Sequence, residues 1–514
     1  VKIDITKDPE KAVALIEHFK IEAPTGQITQ IDHMWIGQHT FRTDQPVRRF
    51  QIHLPGLKQS ISSNNLQFLK PHFIAPYTVR LDGRTRFALA NDYPSGDIKK
   101  SPENHLWALF ENDDAREKAR KITEEAFGLY FVIDPTPMQK FSIRLSERPP
   151  ADSSEEQALD QRARDFHANA THILDFSDGV QAFVGLISAI LSLEHKIILI
   201  DEPEAFLHPS LARLLASNMG EIAKKREASL IVSTHSAEFL IGCLEKVDDV
   251  SVVRLTYKDK IATARELNHA DLKEMMRDPL LRSTKTLEGL FHNAVIISES
   301  DTDRAFYDEI NRRLQPSRGI GQALFINGQN KQTVHRILNP LRKIGVPAVG
   351  IVDLDMIKEK GTNWVNLLSA AGIPTEEQVI LEKLRSDIAN EFETLPLLSG
   401  GHEQMKKIGI DALNENKASA LELIKRLAEY GIFLVSKGEV ECWLSSLGAR
   451  GHGADWLIDI FAKIGSDETT ANYILPGKDD VWKFIDDIGS WTGNPKRKGM
   501  ILNPTRLKVE TSEV

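Results

Sequence analysis

The chain has 514 residues, 41% of them hydrophobic and 27% charged, which supplies enough apolar material for sizeable cores. Its 64 basic and 73 acidic residues leave a formal charge of −9. That excludes a histone-like coat but not local patches for nucleic acid. Two cysteines, Cys243 and Cys442, are too few for a disulfide framework, so a reducing, cytoplasmic setting is expected. No run approaches the ~18 apolar residues of a membrane helix, no signal-peptide pattern opens the chain, and no membrane partner is expected.

At roughly 150 residues per domain, the length predicts about three domains or two large ones. The first 150 residues read as short strands and loops, with strand-like alternation in Phe50–Leu54 and Tyr77–Leu81. Asp113 to Phe127 has helical periodicity, and Pro149-Pro150 marks a break before another helix. Ala182 to Leu193 reads as a buried helix. Beyond it, buried strands at Lys196–Ile200, Ser229–Val232 and Val250–Leu255 alternate with helices such as Ser210–Lys225, which implies a covered parallel sheet. Residues 256–290 are charged and read as a linker. A second alternating region follows, with strands at Val295–Ser298, Ala323–Ile326, Ala348–Val352 and Ile432–Val435. Helical stretches such as Ala418–Tyr430 fill residues 357–430. The last segment carries a basic cluster of Lys496, Arg497, Lys498, Arg506 and Lys508.

Chemistry concentrates at strand ends. Ile197–Ile200 delivers Asp201 and Glu202 to the carboxyl end of a strand, where open α/β sheets bind ligands. In a nucleotide site the first acid holds Mg²⁺ and the second polarises the attacking water. Upstream, Phe176-Ser177-Asp178-Gly179-Val180-Gln181 opens a helix whose N-terminus suits a phosphate. Downstream, Ile231-Val-Ser-Thr-His235 ends the next strand in a histidine. Together these resemble the ABC-type ATPase heads of DNA-repair and chromosome-maintenance proteins. Ser177, Asp178 and Gly179 match the signature motif, Asp201 and Glu202 the Walker B strand, and His235 the switch histidine. The spellings Phe-Ser-Asp-Gly-Val-Gln, Asp-Glu-Pro-Glu and Leu-His-Pro resemble the overcoming-lysogenization-defect (OLD) branch. The phosphate-cradling pattern Gly-x-x-x-x-Gly-Lys-Ser/Thr occurs nowhere in the chain. Because the chain opens on Val1 rather than Met, that loop is expected upstream, the other reading being a degenerate head.

The second region places Glu299 directly after the strand Val295–Ser298 and Asp303 at the following helix start. A later strand ends in Asp353-Leu-Asp355, and residues two apart in extended backbone share a face. Hard oxygen donors of this kind suit Mg²⁺ or Mn²⁺ rather than zinc. This constellation resembles the TOPRIM domain of topoisomerases, primases and OLD-family nucleases. Glu299 takes the position of the glutamate, Asp303 the acid that follows it in the OLD group, and Asp353 and Asp355 the Asp-x-Asp pair. Ser300 replaces the usual glycine. Val435-Ser-Lys437-Gly438-Glu439-Val-Glu441 resembles the family's Lys-Gly-x-x-Glu segment, with Lys437 facing phosphate charge and Glu441 a further metal ligand.

The resemblance implies an α/β protein with an ABC-type ATPase head at 1–255, containing a dimerisation insertion within 66–170. After the 256–290 linker it implies a Rossmann-like, parallel-sheet TOPRIM domain at 291–445 with a helical insertion at 357–430. A helical, basic extension occupies 446–514. The implied activity is Mg²⁺-dependent DNA endonuclease, regulated by ATP and acting in prokaryotic antiviral defence of the Gabija or retron type. Catalysis would fall to Glu299, Asp353, Asp355, Lys437 and Glu202. Metal ligands would be Glu299, Asp303, Asp353, Asp355, Glu441 and Asp201. DNA and a second copy of the chain are the implied partners, with a defence-system protein or an RNA–reverse transcriptase complex as a further class. The alternative is a DNA-sensing ATPase whose TOPRIM domain is a non-catalytic scaffold.

Overall fold

The computed structural model describes residues 20–22, 28–30, 33–38, 48–63, 78–97, 99–100, 102–192, 195–258, 261–395, 401–466, 468–469 and 472–500. The chain divides into two compact units, Val1–Val250 and Ser251–Val514. The fold is mixed α/β, and each unit is built on a parallel sheet.

In the first unit, Ile197–Asp201 lies between Thr78–Leu81 and Ser229–Ser233, all three parallel. Ile198 and Ile200 point into a core shared with Leu186 and Ile190 of the helix Asp178–Ser192. Leu215 and Met219 of the helix Pro209–Lys225 join the same core. Two antiparallel pairs precede this sheet, Lys20–Glu22 with Ile28–Gln30 and His33–Gln38 with Arg48–His53, the second containing the expected Phe50 run. The range 66–170 is not a separable insertion. Thr78–Leu81 within it is a strand of the central sheet, and the hairpin Tyr130–Asp134/Lys140–Ser146 contributes Phe131, Ile133 and Ile143 to the common core. A strand of four residues carries too little periodicity to reveal its partner.

The second unit centres on four parallel strands in the order Ala323–Asn327, Ala294–Ser298, Ala348–Asp353, Ile432–Val435. Strands buried on both faces read as continuous apolar runs, which is why these four were visible in the sequence. One face buries Ile296, Val349, Ile351 and Phe433 against Phe306 and Ile310 of the helix Asp301–Leu314. On the other face a Cβ at Gly350 would lie 3.0 Å from Val334 Cγ1, so this position admits the Val334–Lys343 helix closely. From that helix the fully buried Arg342 donates to the carbonyls of Ala348, Ala371 and Tyr430 at 2.8 Å, tying three segments together.

Two expected boundaries move. Residues 256–290 are not a linker, since Val252–Lys258 and Ile261–Leu267 form an antiparallel hairpin followed by the helix His269–Arg277. The usual alternation is inverted there, with Val253, Leu255 and Tyr257 exposed, so the segment reads as polar between isolated apolar residues. The expected extension at 446–514 is helical, but Trp456, Ile460, Trp482 and Ile485 of helices Ala454–Ile464 and Asp480–Gly493 lie within the core of the four-stranded sheet. Of the basic cluster, Lys498 pairs with Glu429, and Arg506 and Lys508 lie outside the described residues. Among the described residues no helix is long and apolar enough to cross a membrane.

Candidate functional site

In the first unit the central strand ends at Asp201, whose carboxylate accepts from Ser233 Oγ on the neighbouring strand. Glu202 follows in the left-handed region, at φ 47°, and its N–H donates to Ser233 O at 3.0 Å. A non-glycine residue held there is strained, which marks a backbone fixed by its surroundings. His235 Nε2 stands 3.2 Å from Glu202 Oε1 and is almost fully exposed. Burial, reinforced by the nearby Glu204 carboxylate, pushes Glu202 up to about 7. Glu204 itself accepts from Thr234 Oγ1 at 2.6 Å and from His235 N at 3.0 Å, locking the histidine loop to the acid loop. Ser177 and Asp178 are exposed at the helix start, and Gly179 abuts the acid loop. A Cβ at Gly179 would approach Phe206 O to 2.7 Å. One residue that sequence reasoning missed is Arg86, buried and donating to the Glu202 carbonyl beneath the acids. It lies 116 positions away, on a six-residue helix with no local pattern to announce it.

In the second unit the strand order brings the ends of Ala294–Ser298, Ala348–Asp353 and Ile432–Val435 side by side. Glu299 Oε1 accepts the Asp353 N–H at 2.9 Å, joining two of the expected acids directly. Burial raises Glu299 to about 8, with Asp355 and Asp303 adding repulsion. Asp353 is raised strongly by burial and then by Glu299, Asp303 and Asp355. Asp303 rises to about 6, again chiefly by burial, with Glu441 and Glu439 contributing. These acids therefore face one another in a half-dry bowl, a fitting environment for divalent cations. Asp355 Oδ1 is buried without a hydrogen-bond partner, a further sign of a missing cationic neighbour.

Several details depart from the sequence reading. Asp355 does not share an extended strand with Asp353, because the strand ends at Asp353 and Leu354–Lys358 is a 3₁₀ turn. Lys331, from the loop after Ala323–Asn327, meets Asp355 at 2.9 Å and Glu359 at 3.2 Å. Ser300 needs no glycine-like backbone. At φ −135° it caps the helix Asp301–Leu314, donating no main-chain strain and forming a capping box with Asp303. Part of Asp303's role is thus structural, its Oδ2 accepting from Ser300 N at 3.1 Å. Lys437 Nζ lies 3.8 Å from Asp411, while Lys406 pairs with Glu439 beside the acids. Among the described residues, the one convergence of three metal-ligating side chains is Glu439, Glu441 and His452, with ligand atoms within 4.8 Å of one another. Sequence reasoning had found only Glu441 of that group.

Residues 41–241 match a family model described as an AAA domain (AbiEii toxin, Type IV TA system). The chain is 22% identical over 321 residues to the OLD nuclease of Thermus scotoductus, covering 60% of this chain and 56% of that protein. It is 25% identical over 310 residues to the Old nuclease of Escherichia phage P2, covering 57% and 50%. The chain is similar to the OLD nucleases. Endonuclease GajA of Bacillus cereus is 25% identical over 238 residues, covering 41% of this chain and 33% of that protein. The chain thus spans between a third and just over half of the length of these curated relatives. The family match covers the strands and loops that carry Asp201, Glu202 and His235, so the first unit holds an AAA-type ATPase domain related to the OLD group.

Proposed function

We propose that the second unit is a TOPRIM-type, Mg²⁺- or Mn²⁺-dependent DNA endonuclease and that ATP acting at the first unit regulates it. The observation that carries this reading is the bowl of acids at three adjacent strand ends, with Glu299 bonded to the Asp353 N–H and each carboxylate raising its neighbours. Glu299, Asp303, Asp353 and Asp355 would hold the cation, which would activate water and stabilise the leaving oxygen of a phosphodiester. Lys406 and Lys331 sit beside these acids and are placed to meet phosphate oxygens once a cation takes over the carboxylates. Lys437, on the loop between them and Asp411, is the third ammonium of the rim. In the first unit Asp201 would hold Mg²⁺, Glu202 would polarise water, and His235 would meet the γ-phosphate. Ser177–Gly179 at a helix start would face a nucleotide held by a second copy, making the working form a homodimer or larger. Prokaryotic antiviral defence is the biology in which we place this activity, by analogy with the named relatives.

The test is cleavage of supercoiled and linear DNA in Mg²⁺ and Mn²⁺ by the full chain and its Asp353→Asn variant. The reading expects cleavage by the wild type and a loss of about a hundredfold or more in the variant. Cleavage that survives Asp353→Asn would overturn the metal assignment. Wild-type protein that cuts no DNA in either ion would favour the scaffold alternative.

A further inference from the structure

Glu439 and Glu441 flank the turn after the strand Ile432–Val435, and His452 reaches them from a loop eleven residues further on. That loop is shaped by glycine. Gly448, Gly451 and Gly453 have φ of 61°, 98° and 59°, the left-handed region in which a side chain would be strained. The result brings His452 Nδ1 to 2.7 Å from Glu441 Oε1, while the Gly453 N–H donates to the same oxygen at 3.0 Å and fixes the carboxylate. One ligand atom from each of the three side chains falls within 4.8 Å of the others. Six-coordinate ions with bonds of roughly 2.1 Å set neighbouring ligands about 3.0 Å apart and opposite ones about 4.2 Å apart. The triad is therefore at ligand spacing after a shift of a few tenths of an ångström.

The donor set separates this position from the rest of the bowl. Glu299, Asp303, Asp353 and Asp355 offer only oxygen, the preference of Mg²⁺. His452 adds an imidazole nitrogen, which suits Mn²⁺ and later transition ions and which Mg²⁺ rarely accepts. The charges facing the triad are Asp303 and Asp353 on neighbouring elements and Lys406, paired with Glu439. One ammonium among four carboxylates leaves the surroundings negative.

We propose that Glu439, Glu441 and His452 form a second cation position beside the all-oxygen acids, selective for Mn²⁺ or a similar transition ion over Mg²⁺. The proposal rests on the reading of the bowl as a metal-dependent nuclease site and specifies which of its ions is exchangeable for which metal. His452 acts as a ligand there, and its removal changes metal preference rather than fold, since its side chain is 81% exposed.

The experiment uses the full chain and Mn²⁺ alone as probe. Titration followed by the electron paramagnetic resonance of free Mn²⁺ gives the affinity, and electron spin echo modulation reports a directly bound ¹⁴N. Wild-type protein is expected to show ¹⁴N modulation from one imidazole. His452→Ala and His452→Gln are expected to lose it and to weaken one Mn²⁺ site about tenfold or more, a loss of the size seen when metal-site partners are removed. Competing Mg²⁺ affinity should stay within about twofold in both variants. Wild-type protein without ¹⁴N modulation, or variants with unchanged Mn²⁺ affinity, would reduce His452–Glu441 to a surface ion pair and overturn the proposal. Cleavage by Asp353→Asn separates the two claims. If the variant loses Mg²⁺-dependent cutting while His452→Ala changes nothing, the nuclease reading stands and the second position falls. If Asp353→Asn still cuts, the nuclease reading of the bowl falls, and the ¹⁴N signal decides the triad by itself.

Discussion

Replacing Glu299 by Gln removes one partly buried negative charge but keeps the oxygen that accepts the Asp353 N–H at 2.9 Å. Burial, with Asp355 and Asp303 behind it, raises the Glu299 carboxyl from 4.5 to about 8. In the unfolded chain the group ionises near its ordinary value, so between those limits the unfolded state binds fewer protons than the folded one. Stability of the metal-free protein must therefore fall as pH rises from 4.5, by about 1.4 kcal/mol per unit, until the folded group ionises near 8. The accumulated cost is about 5 kcal/mol, and Asp353, raised in the same direction, adds to it. Glu299→Gln should match wild type near pH 4.5 and exceed it at pH 8, raising Tm by roughly 10 °C for a unit of this size. Melting followed by circular dichroism in EDTA at several pH values tests this. Mg²⁺ should restore the wild type at pH 8 and do little for the variant. Parallel pH profiles for the two proteins in EDTA would refute the claim that Glu299 is a strained, buried acid awaiting a cation.

Two further outcomes follow from single contacts. Lys331 competes with a divalent ion for Asp355 and Glu359, so Lys331→Met should tighten Mg²⁺ binding about threefold to tenfold by calorimetry while lowering the DNA cleavage rate. Looser Mg²⁺ binding in that variant would remove Lys331 from the site. Arg342→Met strands buried carbonyls of Ala348, Ala371 and Tyr430, which should destabilise the second unit by at least about 3 kcal/mol in urea unfolding. A change below about 1 kcal/mol would show that water replaces the guanidinium freely.

Both sheets were legible because their strands announce themselves twice, as apolar runs and as runs ending in acids. Ile197–Asp201 and Ala348–Asp353 agree with the sequence reading to within a residue or two. Legibility failed wherever a residue acts through distance in the chain rather than local pattern. Arg86, Lys331, Lys406 and His452 are single charged or polar residues on short helices and loops, and only the tertiary fold brings them to the acids. Asp355 illustrates a subtler failure. The two-residue rule assumes extended backbone, and Leu354 instead turns into a 3₁₀ segment whose N–H bonds Gly438 O at 3.1 Å. The acid still reaches the bowl, but from a different direction, which is how it comes within reach of Lys331. Trp456 and Trp482 were assigned to an appended tail because amphipathic helices do not say which sheet they cover.

The counter-charges distinguish the two acid sites physically. Beneath Asp201 and Glu202 lies Arg86, buried and bonded to a main-chain carbonyl, with burial lowering its pKa against the pull of Glu204, Asp201 and Glu202. A guanidinium held in that way is part of the loop, because its planar fork cannot leave without stranding the carbonyl. Around Glu299 and Asp353 the cations are instead Lys331 and Lys406, ammonium groups on flexible stems with partial access to solvent. A lysine can withdraw along its own side chain when a divalent ion offers the carboxylates a better partner, and it then stands within reach of the ion's other ligands. The first site is therefore built with a fixed charge balance, and the second with one that exchanges. Exchange of ammonium for metal is the state change expected of a site that must hold its acids together before the cation arrives and release basic groups toward a phosphate afterwards.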